Sequence, residues 1–128
     1  MASSNGINVE ILSGGLTLKA YDDPDEAING KPGEVRKYIE AMTDAKFSVA
    51  FHLTKGFKVG HCDGIDVLYD LDGLPICHLF VPQKKIAECN YNYKQALGSS
   101  TEFCATSSTW RRVEWSFGKL NIRQYHLF

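Results

Sequence analysis

The sequence predicts a mainly β fold, a single antiparallel β-sandwich or jelly-roll-like domain with at most one short helix. Two observations lead to this prediction. Short runs of alternating apolar and polar residues recur along the chain, separated by turns rich in Gly, Pro, Asn and Asp. The dipeptide Asp72-Gly73 stands between two such runs. Asp-Gly is a strong hairpin signal, because a type I′ turn needs positive φ at both central residues.

The turn at Asp72-Gly73 predicts the register of the hairpin that it closes. Seven of the eight side chains that would then face each other are apolar, so turn chemistry and hydrophobic period agree. Pro75 has no N–H, so residues 74–81 are expected to begin at a sheet margin or to form an edge strand. The expected pairs are Leu71 with Leu74, Tyr69 with Ile76, Val67 with His78 and Ile65 with Phe80.

Further strands are predicted before this hairpin. Residues 1–6 are small and polar, and we expect them to be disordered. Gly14-Gly15 indicates a turn, and Asp44 suits a turn because Asp tolerates the left-handed region. Alternating apolar residues predict strands at residues 7–11, 35–42 and 47–53 and a short strand at 57–59.

The remaining third of the chain gives weaker signals. Ile86, Cys89, Tyr93 and Leu97 recur at helical spacing, which allows one short helix within residues 83–97. Residues 98–108 are rich in Ser and Thr and are interpreted as a loop. Alternation then predicts a strand at residues 113–117 and a last one within residues 120–128.

Length and composition indicate one globular domain, residues 1–128. The chain is 44% hydrophobic and has 14 basic and 15 acidic residues, so nucleic acid is an unlikely partner class. No apolar run approaches the roughly 20 residues that span a bilayer, so no membrane partner is expected. The absence of a visible signal peptide predicts an intracellular protein, cytoplasmic or nuclear, with reduced thiols.

No catalytic residue, metal or cofactor is predicted, and we expect the protein not to be an enzyme. The four cysteines contain no Cys-x-x-Cys pair, and the hairpin register separates Cys62 from Cys77 by about 20 Å along a strand. In the doublets His61-Cys62 and Cys77-His78, neighbouring strand residues point to opposite faces. Disulfides that involve Cys89 or Cys104, and a Cys–His pair assembled from distant residues, stay open.

The candidate binding residues fall into two groups. Tyr91, Tyr93, Trp110 and Arg111 lie in segments that look irregular, where aromatic rings could be exposed and stack on a ligand. Pro75 and Cys77 lie on the predicted edge strand, which could accept a partner strand. The apolar residues of 120–128 could in turn join two copies into a homodimer.

Several segments resemble a known family. These are Tyr38-Ile39-Glu40-Ala41, Phe47-Ser48-Val49, Leu18-Lys19-Ala20-Tyr21, Leu71-Asp72-Gly73 and residues 115–120. They resemble fungal domains of unknown function whose β-rich N-terminal module carries a Tyr-Ile-Glu-Ala segment followed by a Phe-Ser-Val strand. The resemblance implies a β-sandwich-like module in an intracellular fungal protein, and it implies no activity and no catalytic residue.

The function predicted from these observations is a non-catalytic protein-interaction module that binds through a sheet edge or a surface aromatic patch. One alternative is a jelly roll that binds a small ligand or a carbohydrate through its aromatic residues. The other is a chromatin- or nucleic-acid-associated module.

Overall fold

The computed structural model describes residues 2–4, 6–25, 34–57, 60, 62–90 and 92–118. These residues form eleven β-strands and one six-residue helix, so the prediction of a mainly β fold with one short helix is confirmed. The sandwich or jelly-roll arrangement stays a prediction. The elements are β1 (Ala2–Ser4), β2 (Ile7–Ser13), β3 (Leu16–Thr17), β4 (Ala20–Asp22), β5 (Lys37–Ile39), β6 (Ser48–Leu53), β7 (Gly64–Leu71), β8 (Leu74–Pro82), α1 (Gln83–Glu88), β9 (Tyr93–Leu97), β10 (Ser99–Cys104) and β11 (Thr109–Glu114).

The largest sheet contains five antiparallel strands in the order β1-β2-β6-β9, with β3 also paired to β2. Its apolar face follows from alternation, because Val9 lies opposite Phe51 and Ile11 opposite Val49. Residues 2–4, which were expected to be disordered, form β1 and pair with β2. Gly6, with a φ of +83°, lies in the reversal that permits this pairing.

The central hairpin β7–β8 forms with the predicted turn but not with the predicted register. Asp72 and Gly73 have φ values of +53° and +79°, as a type I′ turn requires. The pairing of Leu71 with Leu74 is correct, and a β-bulge then follows between Tyr69 and Asp70.

The bulge changes which side chains of β8 point inward. Pro75 opposes Asp70 and Cys77 opposes Tyr69, so Ile76 is the extra residue. The predicted partners of Tyr69, Val67 and Ile65 are therefore wrong by one position, and they face Cys77, Leu79 and Val81 instead. His78 and Phe80 lie on the exposed face.

Three other predictions need correction. The strand at residues 35–42 contains only Lys37–Ile39. The helix ends at Glu88, and Asn90 then has a φ of +54°, so the helical spacing from Ile86 to Leu97 is fortuitous. Residues 93–97 form β9, and the predicted loop at 98–108 contains β10, which pairs with β11. Thr101 and Phe103 of β10 are residue types that suit strands. The predicted strands at 57–59 and 120–128 lie wholly or partly outside the described residues.

The main core lies between the five-stranded sheet and the inner face of β7–β8. Its buried residues come from β6, β7, β8 and α1 and from the segment after β11: Phe51, Leu53, Tyr69, Val81, Ile86 and Trp115. Ile86 is fully buried and anchors α1 to the hairpin.

A second cluster contains Ile11, Ala41 and Phe117. It forms where residues 115–117 run along residues 44–47. The N–H of Phe47 donates to the carbonyl of Trp115 over 3.0 Å, and the rings of Phe47 and Phe117 stack with centroids 4.6 Å apart. These contacts fix the chain after β11 against the start of β6.

Candidate functional site

The most exposed aromatic group of the described chain lies on the two-stranded ribbon β10–β11. Phe103 lies opposite Trp110 in the register, so both rings are on one face. Trp110 is 71% exposed and Phe103 is 53% exposed, and their ring centroids are 5.5 Å apart with the planes inclined at 58°. We call this pair, with Thr101 and Arg112 beside it, the aromatic face of the ribbon.

The polar contacts of the ribbon position this face. The Nε of Arg112 donates to Oγ of Ser99 over 3.0 Å, which directs the guanidinium toward Ser99 and Glu114 at the base of the ribbon. At its base, Nε1 of Trp115 donates to Oγ of Ser100 over 3.2 Å, and the N–H of Trp115 donates to the carbonyl of Gly98. The ribbon is therefore tied to the core at one end, while its other end carries the exposed rings.

A cleft of about 910 Å³ lies between the apolar face of the five-stranded sheet and the end of β7. Val9, Ile11, Val49 and Phe51 line its floor, and Val67, Leu71, Trp115 and Phe117 are among the residues that line the rest. Three parts of the molecule therefore meet at the cleft: the five-stranded sheet, residues 67–72 and residues 114–118.

The mouth of the cleft is acidic. Asp70, Asp72 and Glu114 line the cleft and are exposed, whereas no lysine or arginine of the described residues lines it. Glu114 forms an ion pair with Lys46, which holds the pKa of Glu114 below its usual range. Within the described part of the chain, neither Asp70 nor Asp72 forms an ion pair. The net charge at the mouth is therefore negative.

One buried polar atom near the cleft has no hydrogen-bond partner among the described residues, the hydroxyl of Tyr69. Burial, with smaller contributions from Cys77 and Tyr93, raises the pKa of Tyr69 to about 12. Neither Cys77 nor Tyr93 lines the cleft, so the hydroxyl lies toward the core and not toward the mouth.

A family model for a domain of unknown function, DUF7918, matches residues 6–126. The chain belongs to the DUF7918 family. No curated protein and no solved structure matches it. The predicted membership in a family of unknown function is thus confirmed at this level. Across the described residues of this DUF7918 domain, no helix is long and apolar enough to cross a membrane.

The structure does not bring the predicted site residues of this DUF7918 domain together. Trp110 is exposed as predicted, and Arg111 is its neighbour on β11, on the opposite face of the ribbon. Tyr93 is instead a half-buried residue that packs on Phe51, with ring centroids 5.9 Å apart, and its hydroxyl donates to Gln95. Tyr91 lies outside the described residues.

The two predicted binding residues on β8, Pro75 and Cys77, lie in different surroundings. Pro75 is exposed, whereas Cys77 is half-buried and packs against the main core. Burial raises the pKa of the Cys77 thiol, which reduces its thiolate fraction and its reactivity. None of the four cysteines, all of which lie in the described residues, forms a disulfide, and no group of three His, Cys, Asp or Glu in the described segments could hold a metal ion.

Sequence reasoning missed two features of the DUF7918 domain. The first is that Phe103 belongs to a strand. Ser99, Thr101 and Phe103 are every second residue of β10, and this spacing, with the same spacing in β11, could have indicated the strand. The cleft had no local signal, because its walls come from separate stretches of the chain, among them residues 9–11, 47–51, 67–72 and 114–118.

Proposed function

We propose that this domain is a non-catalytic protein-interaction module of an intracellular fungal protein, and that it binds its partner through the aromatic face of the ribbon. The observation that carries the proposal is the exposed pair Trp110 and Phe103. Trp and Arg are the residue types that most often dominate the binding energy of protein interfaces. Here Trp110 and Arg112 lie side by side on one exposed surface.

The aromatic face is a better candidate than the edge of β8. Both strands of the β7–β8 sheet have an edge that pairs with no other described strand. The edge of β8, however, carries Pro75 and Pro82 and the bulge at Ile76. Prolines and bulges are the features with which proteins prevent the addition of a further strand.

The geometry of the two rings favours a protein partner over a carbohydrate or a base. A planar group stacks on one flat surface, and with planes 58° apart only one of the two rings can lie parallel to it. Two inclined rings instead present a ridge that fits an apolar pocket. Arg112 beside the ridge would pair with a carboxylate, so the expected partner surface is an apolar pocket with an acidic margin.

The test begins with capture of partners from native cells on the immobilised domain and on two variants. Trp110→Ala removes the most exposed ring of the ribbon, and Leu16→Ala truncates an equally exposed apolar residue, 73% exposed, on β3. A protein that is captured by the wild type and not by Trp110→Ala is then purified. Its affinity for all three chains is measured by calorimetry.

We expect Trp110→Ala to weaken direct binding at least tenfold, because a central Trp contributes more than about 1.4 kcal/mol at an interface. Leu16→Ala should bind like the wild type. Far-UV circular dichroism checks that both variants fold. Equal affinity of the Trp110→Ala chain would reject the aromatic face as the binding surface. Saturable binding to a glycan instead of a protein would favour the carbohydrate alternative.

A further inference from the structure

The cleft beside β7 has properties that the aromatic face does not explain. Its volume of about 910 Å³ lies within the range of pockets that hold small molecules. The cleft is open at its mouth and bordered by core residues such as Phe51 and Trp115, so a molecule that enters it contacts apolar side chains.

The charges at the mouth select the class of molecule that fits. Asp70 and Asp72 are exposed at the rim, and no described cation pairs with either carboxylate. Glu114 is paired with Lys46, so its charge is already balanced. An anionic ligand would meet two uncompensated negative charges. In a cationic ligand, the charged group would be attracted to the carboxylates at the rim while the apolar part of the ligand entered the cleft.

The geometry points to a second binding site in this domain: the cleft binds a small apolar molecule that carries a positively charged amine. Val9, Ile11 and Val49 contact the apolar body of the ligand, and the carboxylates of Asp70 and Asp72 contact its ammonium group. Binding involves no covalent step. This site lies apart from the aromatic face, and it does not depend on the proposed protein partner.

The experiment uses the full chain and two matched pairs of probes. Proflavine is an aromatic cation and acridine is its neutral ring system, while decylamine and decanol form an aliphatic pair. Binding of each probe is measured at neutral pH and low salt by calorimetry. In a Trp110→Phe chain, the fluorescence of the remaining Trp115, which lines the cleft, reports whether the probe enters it: the aromatic probes quench it, and the aliphatic probes shift its emission maximum.

We expect the cationic member of at least one pair to bind about tenfold more tightly than the neutral member, and to change the fluorescence of Trp115. The double variant Asp70→Asn, Asp72→Asn should lose this preference and keep the affinity for the neutral probe. Asn accepts the positive φ of residue 72, so the turn survives. The control is Asp25→Asn with Asp63→Asn, which removes the same charge at two exposed residues that do not line the cleft.

Any of four results from the binding measurements would overturn the inference. They are equal binding of both members in each pair, a cation preference that the Asp70 and Asp72 substitutions leave intact, binding without a change in Trp115 fluorescence, and no saturable binding of any probe. Sedimentation at the same concentrations is measured in parallel. A dimer that the probes dissociate would show that the cleft is an interface between copies of the chain, and the small-molecule site would be rejected.

Discussion

Tyr69 places a polar atom in the core, where it forms no hydrogen bond to the described residues. The side chain is 6% exposed and its ring packs against Trp115, with centroids 5.7 Å apart. Its hydroxyl has no partner among the described residues. A buried hydroxyl that has lost its hydrogen bonds to water costs about 1–3 kcal/mol. The ring therefore stabilises the fold, and the oxygen opposes part of that gain.

Substitution of Tyr69 by Phe removes the oxygen and keeps the ring. We expect Tyr69→Phe to raise the free energy of unfolding by about 1 kcal/mol at pH 7, measured by urea denaturation. Tyr21→Phe is the control, because Tyr21 is 44% exposed and its hydroxyl has access to water. A loss of stability in Tyr69→Phe would show that the hydroxyl has a partner and that the core depends on it.

The same variant tests the titration of Tyr69. Its pKa is raised from about 10 in the unfolded chain to about 12 in the folded protein, because burial disfavours the phenolate. A group with a raised folded pKa contributes its full stability below pH 10 and loses it as the pH rises through 12. The wild type should therefore lose more stability between pH 10 and pH 12 than Tyr69→Phe does. Parallel curves for the two chains would contradict the raised pKa.

The hairpin β7–β8 shows where local chemistry predicts an element and where it does not. Asp72 and Gly73 determine the turn, because only a few residue types adopt positive φ at low cost. The bulge at Ile76 is not encoded in the turn. It depends on which side chains the rest of the core accepts, and an inserted residue moves His78 and Phe80 from the predicted inner face to the outer one.

Gly73 isolates the contribution of the turn. A Cβ at this position would meet no atom within 4 Å, so Gly73→Ala changes only the backbone preference at a φ of +79°. We expect a loss of about 1–2 kcal/mol in the free energy of unfolding. Gly118 also has open space around it and no positive φ, so Gly118→Ala should be neutral or stabilising by up to about 1 kcal/mol. Urea denaturation that gave equal values for both variants would show that the turn conformation does not limit stability.

The second half of the chain illustrates a different source of error. Tyr93 and Leu97 are four residues apart, and side chains at this spacing lie on the same face of a helix and also on the same face of a strand. The pairing with β6 decides between them, because Tyr93 lies opposite Leu53 and Leu97 opposite Val49. The dipeptide Asn5-Gly6 was a hairpin signal that the polar composition of residues 1–6 obscured.

At the level of the whole molecule, the sequence predicts the fold class, the main hairpin and the strand β6, because these depend on alternation and turn chemistry. It predicts Trp110 as an exposed candidate residue, but it predicts neither candidate site as a whole. The aromatic face needs the pairing of Phe103 with Trp110, and the cleft needs three distant segments to meet. Such contacts are set by the packing of sheets, and no window of sequence contains them.

Trp115 is the residue through which the parts of the molecule meet. It is 4% exposed, and it contacts Tyr69 of the hairpin, Phe47 before β6 and, through its indole nitrogen, Ser100 of the ribbon. If the chain is one domain, the surroundings of Trp115 should disappear in the same step as the secondary structure. The chain contains two tryptophans, so Trp110→Phe leaves Trp115 as the single reporter.

We expect the fluorescence of Trp115 in the Trp110→Phe chain and the far-UV circular dichroism signal to give one coincident urea transition. Trp115→Phe is the matched variant, in which only the exposed Trp110 remains. Its dichroism transition should shift to lower urea, because the core loses ring contacts and the hydrogen bond to Ser100. Its fluorescence should change little on unfolding, because Trp110 is already 71% exposed. Two separate transitions in the Trp110→Phe chain would mean that the sheets unfold independently, and that Trp115 does not join them into one cooperative unit.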